Sequence, residues 1–207
     1  MKKALCILCS ILIASTMITA AFAAQADPSP AVTPTQVVEF VIKDAEGNVL
    51  KEVVVTEENK DEAASYLKLT PLAEAQDEEV ETPQEVKDAL EAAREAMEEA
   101  ESMEELIPEY AGKEVLDIIH VSFSEEIAGI LEQGGSADVT TDLKLKLEVG
   151  TRLPIIRYID EEWVDSPDEY AEILEDGSVI LHLNQPGVFA VLIDPDTEIL
   201  TEEEEAQ

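Results

Sequence analysis

The sequence predicts an α+β fold dominated by antiparallel β structure, and three observations carry that prediction. From Val115 to Ile193, short runs rich in Val, Ile and Leu alternate with turn signals at close intervals. That is the pattern of an Ig-like sandwich or a partly open barrel. A valine-rich hairpin pattern precedes it at Val37–Thr56, and one long stretch of helical periodicity lies between the two.

Met1–Ala23 has the parts of a secretory signal peptide. Lys2 and Lys3 form a basic start, an apolar run follows, and Ala21-Phe22-Ala23 supplies the small-x-small cleavage pattern. Cleavage near Ala23 is expected, and with it an extracellular location. Cys6 and Cys9 are the only cysteines and lie inside this segment, so the mature chain has no thiol for a disulfide, a metal or a nucleophile. Cys9 comes too early in the apolar run for a lipoprotein signal. Residues 24–35, with Pro28, Pro30 and Pro34, read as an extended linker.

Val37–Lys43 and Val49–Thr56 flank Asp44-Ala45-Glu46-Gly47-Asn48, where Gly47 and Asn48 suit positive φ, so a hairpin is expected. Asn59–Ser65 reads as a short helix with Asn59 as cap and Glu62 three residues on. Leu67–Leu72 reads as a strand that Pro71 confines to a sheet edge or to its own end. A helix is expected over 83–107. Thr82 would cap it in a Thr-x-x-Glu box with Glu85, Pro83 suits its first position, and Pro108 stops it. Val86, Leu90, Ala93, Met97, Ala100 and Leu106 form its apolar stripe. Pro71–Tyr110 holds 15 acidic residues against Lys87 and Arg94, and Glu91/Glu95, Glu95/Glu99 and Glu101/Glu105 are like-charged neighbours. Each such pair costs about 0.2–0.5 kcal/mol in an isolated helix, so the stripe must dock on something, most simply a sheet.

Val115–Phe123 is expected to place Val115, Ile119, Val121 and Phe123 on one face, interrupted by Asp117. Ile127–Leu131 reads as a helical turn closed by Gly134-Gly135. Leu143, Leu145 and Leu147 alternate with charged residues as a half-buried strand, and Leu153–Ile159 leads through an acidic turn to Trp163-Val164. Ala171–Leu174 and Ser178–Leu183 flank a hairpin signal at Asp176-Gly177, and Val188–Ile193 closes the series. The expected division is therefore hairpin plus acidic helix over 36–110, a β-sandwich module over 111–194, and an acidic tail over 195–207.

This order of pieces resembles an uncharacterised family of secreted proteins and surface-protein modules from Gram-positive, gut-type bacteria. The resemblance rests on Thr70-Pro71-Leu72 to Glu74, Val115-Leu116-Asp117-Ile118, Leu143–Val149 with Ile155–Trp163, and Asp176-Gly177-Ser178-Val179 leading to Pro186-Gly187-Val188-Phe189-Ala190-Val191. It implies a sandwich-like fold and an extracellular setting, and it brings no catalytic residues. No Leu-Pro-x-Thr-Gly wall-sorting signal follows Ile193.

Charge narrows the function classes. With 13 basic against 48 acidic residues the formal net charge is -35, opposite in sign to what phosphate backbones or anionic lipid surfaces attract. The partner class this charge favours is a basic protein or an envelope component, along with diffuse divalent cations. His120 and His182 are the only histidines and read as exposed strand residues. Ser122, Ser124 and Ser178 sit in no nucleophile motif. Aromatic residues make up 4% of the chain, too few to furnish a sugar-binding cleft, and Trp163 reads as a core or rim residue. The acidic groups Asp160-Glu161-Glu162, Asp165/Asp168/Glu169 and Asp194/Asp196/Glu198 lack the order of a calcium loop. No catalytic, cofactor-binding or metal residue is assigned. The expected function is a non-enzymatic extracellular or cell-envelope binding or structural module. The alternatives are a carboxylate-dependent glycan hydrolase and an extracellular calcium-binding protein.

Overall fold

A computed structural model describes residues 36–77 and 80–198, so the expected signal peptide and linker and the tail beyond residue 198 lie outside the described residues. The fold is α+β and mainly antiparallel, as expected. Nine strands form one sheet: β1 Val37–Lys43, β2 Val49–Val54, β3 Leu67–Pro71, β4 Glu114–Phe123, β5 Ser136–Lys144, β6 Arg152–Ile159, β7 Glu162–Ile173, β8 Ser178–Leu183 and β9 Gly187–Ile193. Their order is β2-β1-β5-β8-β7-β6-β9-β4-β3, and the sheet curls into a half-barrel. Of the two arrangements the sequence allows, this is the open barrel rather than a pair of stacked sheets. Strands on both sides of residue 110 interleave, because β1 pairs with β5 and β3 pairs with β4.

Curling gives the sheet two cores. On the inner face, Phe40 and Ile42 near one edge share a cluster with Leu67 and Leu69 at the other, joined by Leu181, Leu183, Phe189 and Val191. The outer face of β6, β9 and β4 carries the second cluster, where Ile156, Val188, Ala190, Leu192 and Ile118 meet the helices. β9 feeds both cores: Phe189, Val191 and Ile193 point inward, and Val188, Ala190 and Leu192 outward. A strand covered on both faces reads as a continuous apolar run, which is why Gly187–Ile193 shows no alternation.

Five α-helices and a 3-10 turn at Pro108–Tyr110 accompany the sheet among the described residues: α1 Lys60–Tyr66, α2 Leu72–Gln76, α3 Gln84–Glu99, α4 Met103–Leu106 and α5 Glu125–Glu132. The long helix expected over 83–107 is two. α3 ends at Ala100, whose ψ of 139 is extended, and Ser102 is extended as well. Continuing the helix would crowd Glu98, Glu99, Glu101 and Glu105 at its negative end. The break instead lets the Glu105 carboxylate accept the Glu101 N–H at 2.8 Å and drops Met103 and Ile107 into the outer core. The expected capping box is not formed either. The helix starts one residue later than the Thr-Pro signal implied, with Pro83 extended and no side-chain cap. Thr82 Oγ1 is buried without a hydrogen-bond partner among the described residues. Docking of the stripe does hold: Leu90, Ala93 and Met97 are buried against the sheet.

The other differences are local. Asn59 precedes α1, but its side chain accepts from Thr56 N at 2.7 Å and donates to Val54 O at 2.9 Å instead of capping the helix. In β4 a register shift between Val115 and Asp117 moves Val115 onto the outer face with Ile118, while Leu116, Ile119, Val121 and Phe123 face inward. Hydrogen-bonded β5 lies upstream of the expected strand, over Ser136–Lys144, although Leu143, Leu145 and Leu147 do point into the inner core. After α5, Gly135 packs so closely that a Cβ there would lie 2.5 Å from Lys43 O and 2.9 Å from Ile130 O.

The two-residue turn from β6 to β7 has φ of 51 at Asp160 and 67 at Glu161, the φ pattern of a type I′ hairpin turn. Aspartate tolerates this region, whereas glutamate gains no local hydrogen bond from it. Glu161→Gly is expected to raise stability by about 0.5–1 kcal/mol, read as a higher urea midpoint at unchanged slope. A lower midpoint would show that the turn is not strained at this position.

Candidate functional site

Helices cover the outer face of β6, β9 and β4, and a polar row crosses the outer face of β1, β5, β8 and β7. Asp138 on β5 stands opposite His182 on β8, which stands opposite Tyr170 on β7. His182 Nδ1 donates to Asp138 Oδ1 at 2.7 Å, and Lys43 Nζ pairs with Asp138 Oδ2. The His182 and Tyr170 rings lie 4.4 Å apart, and the Arg152 guanidinium sits 4.2 Å over Tyr170. His182 is thus half-buried and partnered, not an ordinary exposed strand histidine. Asp138 fixes the imidazole so that Nε2 is its remaining ring nitrogen for other contacts.

None of the serines noted in the sequence joins this row. Ser122 Oγ donates to Lys68 O, Ser124 caps α5, and Ser178 Oγ donates to Asp176 at 2.5 Å. His120 lies on β4, four strands from β8 in the sheet order. It is also half-buried, and its Nδ1 has no hydrogen-bond partner among the described residues. Burial lowers its pKa, against a smaller opposing effect of the Glu85 charge.

Burial would raise the pKa of Asp138, but hydrogen bonds from His182 and Lys43 outweigh it and the net shift is downward from 3.8. A depressed carboxylate contributes stability that is present above the unfolded pKa and lost as pH falls through the folded one. The stability advantage of the wild type over Asp138→Asn should therefore be full at pH 7 and shrink below about pH 3.8. Urea titrations at pH 7 and pH 3 test this, and an advantage that does not shrink at low pH contradicts it.

Members of two of the acidic groups noted in the sequence have their own partners. Asp165 Oδ1 accepts from Tyr110 Oη at 2.6 Å; burial, then this bond, pushes the Tyr110 hydroxyl up to about 12. Asp194 pairs with Lys113 at 2.9 Å and Glu198 with Lys146 at 2.5 Å. Among the described residues no three His, Cys, Asp or Glu side chains are grouped to hold a metal ion. Trp163 is buried beneath α3 and donates its indole N–H to Ala93 O at 3.1 Å, so it offers no exposed platform for a sugar.

A buried ion pair was not anticipated from the sequence. β7 has four residues, Ser166–Glu169, where β6 has only Ile155 between paired positions. This bulge turns Glu169 inward. Its carboxylate lies 3.4 Å from Arg157 Nε and accepts from Ser166 Oγ at 2.6 Å and Asn184 N at 2.8 Å. Arg157 Nη2 donates to Pro186 O at 2.9 Å, and the guanidinium lies over the Phe189 ring. Pro167 inside a strand-like run is the one sequence signal for such a bulge.

The remaining feature is the sheet edge at β2. Among the described residues β2 pairs only with β1, and Val49, Leu50 and Val54 are 54%, 52% and 56% exposed. Val55 N bonds to Val38 O, whereas Val54 O accepts from Asn59 on the opposite side. By the alternation of an antiparallel ladder, counted from Val55 N to Val38 O, the backbone groups of Glu52 and the N–H of Val54 face outward, with no strand partner among the described residues, and a register shift at Leu50 ends this alternation. Beside this edge is a cleft of about 280 Å³ between β2 and α1, lined in part by Glu52, Val53, Glu62, Ala63 and Tyr66. At the opposite edge β3 is largely buried and ends in Pro71.

Comparisons with protein-family models, with curated proteins and with solved structures find no match to this chain.

Proposed function

We propose that this chain is a secreted, non-enzymatic binding or structural module of the extracellular space or cell envelope, and that it engages its partner through the β2 edge. The observation that carries this reading is the open strand itself. Exposed edges invite pairing, and proteins commonly blunt them with proline, charge or a covering element. The β3 edge is treated in that way, while β2 keeps three exposed aliphatic side chains. The Met1–Ala23 pattern supports export, and the acidic surface favours a basic protein or envelope component as partner.

The test is fractionation of producing cells, followed by crosslinked pull-down with the wild type and with Leu50→Asp. A protein cleaved near Ala23, found outside the cytoplasm, with a stoichiometric partner lost in the variant, is the expected result. Uncleaved cytoplasmic protein would overturn the secreted reading. Equal recovery of the partner by both proteins would overturn the β2 edge as its surface.

A further inference from the structure

The geometry points to the chemistry of what β2 takes: an extended peptide segment with two adjacent basic residues flanked by apolar ones, added to the sheet as a further strand. This rests on β2 being the binding edge and goes on to name its occupant.

Strand addition needs outward backbone groups, and Glu52 with the Val54 N–H supplies them in the spacing of a ladder, up to the register shift at Leu50. Asn59 occupies Val54 O, which ends the available edge there and limits the added strand to about the length of β2. The side chains an added strand would meet alternate in kind. On the outer face Glu52 and Val54 follow one another, with Leu50 beside them. Toward the cleft, the positions beside Val53 open onto Glu62 and Tyr66. A basic residue opposite Glu52 forms an opposite-charge cross-strand pair. The next residue reaches the cleft, where Glu62 offers a carboxylate, while the Tyr66 ring is taken by the Lys51 ammonium 3.1 Å from its centroid. Apolar residues then fall opposite Leu50 and Val54. The surroundings have the same sign, since Val49–Tyr66 carries five acidic residues against Lys51 and Lys60, and Lys60 is paired with Glu57.

A second copy of this chain fits less well. Antiparallel self-pairing centred on Glu52 sets Glu52 opposite its own counterpart, and centring on Lys51 does the same for Lys51. Like charges directly opposite one another destabilise a pair of strands. Two chains of net charge -35 also repel as they approach.

The test uses the full secreted chain and a capped heptapeptide, Thr-Val-Arg-Lys-Thr-Val-Thr, with two controls. One control replaces Arg-Lys with Glu-Glu, and the other is N-methylated at alternate residues so that it cannot donate to a ladder. The basic peptide is expected to bind and to slow amide exchange at Glu52 and Val54. Affinity should fall about tenfold in the Glu52→Gln/Glu62→Gln variant, and neither control peptide should bind. Binding that survives N-methylation overturns the proposal, because it reduces the interaction to charge attraction. Absence of binding by the basic peptide also overturns it. If the cellular partner is nevertheless lost in Leu50→Asp, the binding edge stands and only its occupant is wrong. A concentration-dependent dimer abolished by Leu50→Asp overturns the proposal in favour of a second copy.

Discussion

Replacing Glu169 with alanine is expected to cost about 3–5 kcal/mol of folding stability. The side chains of Arg157 and Glu169 are 8% and 1% exposed, so both charges have left water almost entirely. Removing the carboxylate strands the guanidinium, leaving Pro186 O and the Phe189 ring as its remaining partners. It also frees Ser166 Oγ and Asn184 N, which Glu169 had satisfied. Gly187 follows the turn that supplies Pro186 O; its φ of 137 strains any other residue, and Arg157 Nη2 lies 3.3 Å from where its Cβ would be. The pair as a whole is not a large source of stability, because desolvation offsets its attraction. The double variant Arg157→Met/Glu169→Leu should accordingly recover most of the loss. Urea unfolding of both proteins checks this. A single variant losing under about 1 kcal/mol, or a double variant no better than the single, would show that the charges are not isolated from water.

Trp163→Ala is expected to cost a similar amount, about 3–5 kcal/mol, and to loosen α3. Trp163 lies in the outer core with Leu90, Ala93 and Met97, and its N–H holds Ala93 O. α3 has little else in its favour as an isolated helix. It lacks a side-chain cap, and its single arginine, Arg94, is shared between Glu91 and Glu98 at 2.5 Å each. With docking weakened, the repulsion among its glutamates acts against helical structure. Circular dichroism should show helix loss before the sheet unfolds, and Trp163→Phe, which fills most of the space but cannot donate, should lie between. A single cooperative transition in Trp163→Ala with the wild-type midpoint would contradict this account. Leu90→Ala reports independently, since opening the interface should shift the emission of this lone tryptophan to the red.

Much of the fold was legible because its signals are local. The Asp44–Asn48 turn is written in Gly47, and Asp44 closes it by accepting from Glu46 N and Asn48 N. The Asp176-Gly177 hairpin and the end of β3 at Pro71 follow from single residues in the same way. What failed concerns competition between neighbours. Thr82 and Glu85 match a capping box, but whether a box closes depends on where the first helical turn begins, and packing of Leu90, Ala93 and Met97 on the sheet sets that phase. Strict alternation in β4 would run through Asp117, and a single register shift at that point reverses the face of Val115.

The candidate sites were less legible still. Asp138 and His182 are 44 residues apart, Arg157 and Glu169 lie on either side of a turn and a bulge, and the β2 edge is visible only once the strand order is known. The sequence by itself determined the antiparallel α+β class, the hairpins, the apolar stripe that must dock and the acidic character of the surface. These depend on periodicity, turn chemistry and composition, which act over a few residues at a time. Only the tertiary structure decided that the strands close into one curled sheet, which face carries the helices, which charges are buried together and which edge stays open. Those depend on strand order and register, where a shift of one residue exchanges the inside of the sheet for the outside.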